Sequence, residues 1–264
     1  MSQIQYQREY YDRVYRDESL SYLDSTDPLV RFVTDWRIQE AVRRLQVAAG
    51  QRVDLDTPIL VMCAGGGGEG SALCNLGFRD VTVSDISAQG VTAALERDPR
   101  LKGLVLNAQQ AQLADGSFGV VLIQDGLHHL PSPVQGFTEM LRLASVAVVF
   151  LEPHDGMVGQ LIGTKWERGD NAVNYVFRWT RKLVEDVANS YLGPDSFHSF
   201  SFSFWHHNLA FERLGKAVGG GPFAVKILKG LKKALDLVAA KAGNQFCGLV
   251  LRIERNDGVE AKAA

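Results

Sequence analysis

Eight successive residues, Cys63, Ala64, Gly65, Gly66, Gly67, Gly68, Glu69 and Gly70, join an apolar run to a helix-compatible one. Glycine lets a backbone approach a ligand with no side chain in the way, and a helix start offers free N–H groups to a carboxylate or phosphate. Four glycines in a row cost more chain entropy than a plain connecting turn warrants, so the segment reads as a ligand site. Asp85 stands about twenty residues beyond the first glycine, where a carboxylate accepts both hydroxyls of a ribose. Ser87 is available to cap the helix that follows, which leaves Asp85 for the ligand. Together these residues imply an adenosine-bearing cofactor. Gly65, Gly67 and Gly70 also satisfy the G-x-G-x-x-G dinucleotide pattern, so the turn alone leaves an NAD(P)-dependent oxidoreductase as an alternative. Against it, no Tyr-x-x-x-Lys pair and no second dinucleotide fingerprint occur.

All six histidines, His128, His129, His154, His198, His206 and His207, lie beyond Asp85. Histidine titrates near neutral pH and is suited to remove the proton of an acceptor hydroxyl. His129, His154 and His206 follow the expected ends of the fourth, fifth and sixth strands. Those ends converge on the ligand crevice of an open α/β sheet, which makes the three histidines the candidate bases.

The elements that must position these groups are read from hydrophobic patterning. Between residues 57 and 155, short apolar runs alternate with helical stretches: Ile59 to Cys63, Val81 to Val83, Leu104 to Leu106, Val120 to Ile123 and Val146 to Leu151. Such runs are expected of strands buried on both faces in a parallel sheet. Ser132 before Pro133 suits a helix cap and first helical position, and Gly77 suits a helix end. Before them, Leu29, Phe32, Val33, Trp36, Ile38, Ala41, Val42 and Leu45 recur at helical spacing and predict a helical cap over residues 1–56. After them, residues 156–264 predict a helix near Thr180 to Tyr191, a strand-like stretch from Ser196 to Trp205, a helix from Pro222 to about Lys241 and a last strand from Cys247 to Ile253. Within that helix Ala224, Ile227, Leu228, Leu231, Leu235 and Val238 form one apolar stripe beside Lys226, Lys229, Lys232, Lys233 and Lys241. No internal repeat or low-complexity linker appears, so residues 1–264 are expected to be a single domain.

The segment Asp115, Gly116, Ser117, Phe118, Gly119, Val120, Val121, Leu122, Ile123, Gln124, Asp125, Gly126, Leu127, His128, His129, Leu130 resembles the fourth-strand motif of small-molecule class I methyltransferases. The resemblance runs from about residue 57 to 155, through Phe137, Glu139, Met140 and Arg142 to Leu151, Glu152 and Pro153. It implies a Rossmann-like methyltransferase fold: a doubly wound, mostly parallel seven-stranded sheet whose last strand is antiparallel, with the helical N-terminal cap and a helical insertion, residues 208–244, before that strand. It further implies S-adenosylmethionine as cofactor. The methionine part would lie against Cys63, Ala64, Gly65, Gly67, Gln124 and Asp125, the ribose on Asp85 with Ile86 beside the adenine, and the adenine edge near Asn107, Ala108 and Gln109. Tyr10, Tyr11 and Asp12 resemble an N-terminal lid over the cofactor. Val61, Cys63, Asn107 and Gly119 depart from the family pattern, which leaves a cofactor-binding protein without turnover as a second alternative.

Composition bounds the partners. A chain of 264 residues, 46% hydrophobic, with a formal charge of −2 has no general electrostatic pull toward nucleic acid. Three cysteines without paired spacing suggest a reducing, cytoplasmic setting and no metal site. No signal peptide or membrane-length apolar run is read, so integral membrane association is not expected. The acceptor is expected to be a small molecule, a hydroxylated metabolite or sugar, with oxygen preferred as the methylated atom. A lipid-linked acceptor stays open, because both ends of the 208–244 insertion are expected on the ligand side of the sheet.

Overall fold

The computed structural model describes residues 3–16, 28–162, 165–168, 173–194, 196–203 and 208–253. In chain order these form α1 (Gln3–Arg16), α2 (Pro28–Ala49), β1 (Ile59–Met62), α3 (Gly68–Asn75), β2 (Val81–Asp85), α4 (Ala88–Arg97), β3 (Lys102–Val105), β4 (Phe118–Gln124), α5 (Pro133–Leu143) and β5 (Ala144–Pro153). The remainder forms α6 (Met157–Ile162), β6 (Trp166–Arg168), β7 (Val173–Tyr175), α7 (Arg181–Leu192), β8 (Ser196–Ser203), α8 (Asn208–Ala217), α9 (Gly221–Ala239) and β9 (Gln245–Arg252).

Seven strands make one sheet in the order β3-β2-β1-β4-β5-β9-β8. The first five are parallel, and β9 runs antiparallel to both β5 and β8. The strand order reverses between β1 and β4. The carboxyl ends of those two strands therefore flank the crevice in which an open α/β sheet binds its ligand.

Each inner strand is apolar on both faces because both are covered. Ile59 and Val61 of β1 face a core that includes Ile38, Ala41 and Leu45 of α2, Leu73 of α3 and Ala94 of α4. Leu60 and Met62 face the opposite core with Phe137 and Met140 of α5, Val184 and Ala188 of α7, and Trp179. Phe137, Phe150 and Trp179 meet there with ring centroids 5.1–5.9 Å apart. Gly119, where the family pattern has an aspartate, touches β1's approach: a Cβ there would come within 2.5 Å of Thr57.

Several local expectations hold and some do not. Ser87 caps α4, its hydroxyl accepting from Gly90 N at 3.0 Å, and Gly77 follows α3 with a φ of 102°. Ser132 does not cap α5 with its side chain; Pro133 alone marks that start. The antiparallel hairpin of β6 and β7 was not foreseen, and neither was the short α6. The stripe expected along α9 is split. Ala224 and Leu228 are buried against Leu29 and Phe32 of α2, whereas Ile227, Leu231 and Val238 are exposed. In place of a third apolar contact the buried row continues with Lys232, whose ammonium donates to Ser203 Oγ and pairs with Asp236 at 3.1 Å.

The insertion does start and finish at the carboxyl edge of the sheet. Gln245, at the start of β9, pairs with Pro153 at the end of β5 and with Ser203 at the end of β8.

Candidate active site

The residues after β1 form a backbone cradle. Gly65 and Gly67 adopt φ values of 48° and 76°, the left-handed region that glycine enters without penalty. Gly70 serves packing instead: a Cβ there would come within 2.5 Å of Val83 and 2.9 Å of Leu101. The three glycines thus divide the work of the turn, with two bending the backbone and one bringing helix and strand together. Asp85, at the end of β2, is bound directly to this cradle. Its Oδ2 accepts from Gly65 N at 3.0 Å and its Oδ1 from Ser87 N at 2.9 Å. Burial pushes the carboxyl pKa upward, and the backbone N–H groups of Ser87, Gly65 and Ile86 oppose that shift. Each oxygen retains a second lone pair, which suits a pair of vicinal hydroxyls.

Two non-glycine residues with left-handed backbone, Cys63 (φ 52°) and Asp125 (φ 51°), sit just beyond β1 and β4 on either side of the strand-order reversal. Uncommon backbone of this kind is often held at functional sites. The Cys63 thiol is driven well above its ordinary pKa by burial, with Asp85 and Glu152 adding to the shift.

The other residues expected to touch the cofactor lie around the same crevice. Gln124 ends β4, is buried, and donates to Glu69 at 3.1 Å. Asn107 Oδ1 accepts from Gln109 N at 3.0 Å, and the Gln109 amide donates to Gln135 at 3.2 Å, with Ala108 buried between them. Ile86, half-buried, follows Asp85. The carbonyl oxygens of the Gln124 and Gln109 side chains are buried with no hydrogen-bond partner among the described residues. Buried acceptors normally find a donor. A glycine cradle, a carboxylate fixed beside it and two buried acceptors in want of donors together fit an adenosine carrying an amino acid.

Helix α1 closes the crevice from above. Tyr11 lies edge-on to His129 at 6.2 Å, and Gln7 donates to the His129 carbonyl. Asp12 accepts from Ser87 Oγ at 2.6 Å. Tyr15, which the sequence reading passed over, lies on the glycine turn itself: a Cβ on Gly65 would meet its hydroxyl, and one on Gly90 would meet its ring.

Two further residues emerge only in three dimensions. Glu152, fully buried at the end of β5, accepts from the backbone N–H groups of Gly126 and Leu127 at 2.8 and 2.7 Å, and its other oxygen lies 2.8 Å from His128 Nδ1. This carboxylate caps the short helical turn Leu127–His129 and fixes how the chain leaves β4. Arg37, in the middle of α2, forks onto Asp125 at 2.5 and 3.2 Å and donates to the Leu151 carbonyl at 3.2 Å. Gln245 donates to the same aspartate at 3.3 Å. Asp125 is thus drawn into a polar wall shared by α2, β4 and β9.

The three candidate bases separate. His129 lies at the mouth of the crevice against His128, its ring centroid 4.3 Å away. Burial, reinforced by His128 and opposed by Asp125, lowers its pKa to about 3. His154 is engaged elsewhere, its ring 3.1 Å from the Gly243 carbonyl and packed against Phe202 and Phe246. His206 falls outside the described residues.

Residues 61–149 match the family described as "Methyltransferase domain". No curated protein matches the sequence. Among solved structures, the fold aligns with the magnesium protoporphyrin IX methyltransferase of Synechocystis PCC 6803 with bound S-adenosylhomocysteine, at a TM-score of 0.60 and 12% identity over 95% of this chain and 100% of that one. It also aligns with a putative sarcosine dimethylglycine methyltransferase from Galdieria sulphuraria, at 0.57 and 16% over 92% and 97%. Against the phosphoethanolamine N-methyltransferase 2 of Haemonchus contortus in complex with S-adenosyl-L-methionine the values are 0.51 and 15%. There 82% of this chain spans 53%, about half, of the relative's length. The matched segment begins in β1 and ends in β5, the part that builds the glycine cradle, Asp85 and the strand-order reversal: residues 61–149 are similar to a methyltransferase domain, on a fold shared with solved methyltransferase structures.

Proposed function

We propose that the chain transfers the methyl group of S-adenosylmethionine to a small organic acceptor, with oxygen the preferred atom. The observation that supports this best is the bond from Gly65 N to Asp85, which joins the glycine cradle and the ribose acid into one preformed site. In this reading Cys63, Ala64, Gly65, Gly67 and Gln124 hold the amino-acid end. Asp85 takes the ribose, Ile86 lies beside the adenine, and Asn107, Ala108 and Gln109 meet the adenine edge. Tyr11 and Tyr15 close the site from α1. When bound, S-adenosylmethionine supplies a methyl group that needs no further activation. The chain's own task is then to align the acceptor, exclude water and receive a hydroxyl proton.

Asp125 is assigned to the acceptor side of the crevice, where Arg37 and Gln245 fix its carboxylate. His129 is the proposed proton acceptor. It is uncharged at neutral pH; burial and His128 weaken it as a base, and the Asp125 charge offsets part of that. The three free cysteines suit a reducing, cytoplasmic setting. The relatives named above are methyltransferases for a magnesium porphyrin and for amines, so the fold itself does not choose the acceptor atom.

Transfer of labelled methyl from S-adenosylmethionine to a panel of hydroxylated metabolites, sugars and amines tests the proposal. Label in a hydroxyl product is the expected result. Label in amines alone would contradict the oxygen assignment, and tight cofactor binding with no transfer to any acceptor would favour a protein that binds without turnover.

A further inference from the structure

Helix α9 carries a wide apolar surface, and only part of it is covered by the described residues. With about 100° of turn per residue, the buried positions Ala224, Leu228 and Lys232 fall on an arc of roughly 80° that packs on α2. Phe223, Ile227, Leu231, Ala234, Leu237 and Val238 fall on an adjoining arc of roughly 120° that faces outward. Phe223, Leu237 and Val238 are 69%, 88% and 85% exposed. Single exposed apolar residues are ordinary in proteins, but a continuous apolar arc along a 19-residue helix marks a contact surface. At its far end α6 packs against the turn that follows α9, Gly159 approaching Asn244, and adds exposed Met157 and Leu161.

Charge identifies what fits this surface. Lys226, Lys229 and Lys233 border the open arc and are exposed. The only acid on the helix, Asp236, is already paired with the buried Lys232. Lys226 and Lys229 thus place positive charge beside the apolar arc, with Lys233 lying over the Trp36 ring at 5.8 Å, on a protein whose formal charge is −2. Apolar side chains bordered along one edge by lysines, lying parallel to a surface, match the acyl boundary and the anionic headgroups of a lipid leaflet. Long lysine stems reach from the buried plane to the headgroups. No described helix is long and apolar enough to cross a membrane, so the contact is with the surface.

We propose that the outer face of α9 docks the protein on an anionic lipid bilayer. Because Lys232 ties α9 to Ser203 at the end of β8, the docked face lies on the carboxyl edge of the sheet, the edge that carries the crevice. Docking of this kind does not require the acceptor itself to be a lipid.

The full chain is sedimented with phosphatidylcholine vesicles and with vesicles containing about one-third phosphatidylglycerol, at low and high salt. Anionic vesicles are expected to bind at least about tenfold more protein than neutral ones, with the difference lost at high salt. Leu237→Ser/Val238→Ser changes two residues exposed enough to leave folding intact, and it should lower that binding about tenfold with an unchanged melting temperature. Lys226→Glu/Lys229→Glu should abolish the preference for anionic lipid. No binding to anionic vesicles, equal binding to both kinds, or full binding by the serine variant would overturn the proposal. So would sedimentation velocity showing a dimer that the serine variant dissociates, which would assign the face to a second copy of the chain.

Discussion

At the scale of single residues, the account rests on Asp85 and His129. Asp85→Ala removes a carboxylate whose oxygens already hold Gly65 N and Ser87 N, so it both loses the ribose acceptor and loosens the turn. Cofactor affinity should fall by about 1.5–3 kcal/mol, the range for a hydrogen bond to a charged group, with the fold retained. Calorimetry returning the wild-type affinity would remove Asp85 from the site. His129 makes a pH prediction. Its folded pKa, about 3, lies below the ordinary 6.5, so the unfolded chain binds the extra proton first as pH falls. Stability is therefore full above pH 6.5 and declines between 6.5 and 3 by at most about 1.4 kcal/mol per pH unit from this group. His129→Asn should remove that part of the slope in urea titrations run at successive pH values. An identical slope in the variant would mean that the imidazole is not shielded as described. Asp85 and His129 could be picked from the sequence because an acid after a second apolar run and a histidine after a fourth have defined places in an open α/β sheet. Arg37 and Glu152 were not picked, and the reason is physical. An arginine inside an apolar helical stripe and a glutamate closing an apolar strand carry no local pattern, since their partners, Asp125 and the backbone of Gly126 to His128, stand 88 and about 25 residues away.

Elements were legible in proportion to how completely they are buried. Four of the five apolar runs from Ile59 to Leu151 became inner strands, because burial on both faces demands unbroken apolar sequence, while the run Leu104 to Leu106 overlaps the edge strand β3, which is exposed at Lys102 and Val105. The hairpin of β6 and β7 has three residues per strand and exposes Trp166 and Tyr175, so no periodicity announces it. Helix α9 shows a different limit. Helical spacing reveals apolar faces but not which of two faces is covered, and the structure buries Lys232 where the stripe would have placed a leucine. The turn after β4 offers a test at this scale. Glu152→Ala would strand the N–H groups of Gly126 and Leu127 together with the His128 ring in a buried setting. With each unsatisfied buried donor costing about 1–3 kcal/mol, a loss of at least about 3 kcal/mol is expected in urea denaturation. A loss below about 1 kcal/mol would show that the turn does not depend on this cap.

For the whole molecule, the architecture concentrates function at one edge of the sheet. The glycine cradle, Asp85, Gln124, the Asp125 wall and both ends of the segment that carries α8 and α9 all lie at the carboxyl ends of the strands, under a lid formed by α1. This arrangement explains why the glycine cradle and Asp85 carried a sequence signal and the Asp125 wall did not: the first are built from one contiguous stretch, the second from α2, β4 and β9, which meet only in the folded chain. It also gives the whole account a single point of failure, the identity of the ligand over Gly65 and Asp85. Isothermal titration of the wild-type chain with S-adenosylhomocysteine, run beside NAD and NADP, measures that identity directly. The account predicts one saturable site for S-adenosylhomocysteine and no heat from either dinucleotide. Saturable binding of a dinucleotide with none of S-adenosylhomocysteine would contradict it.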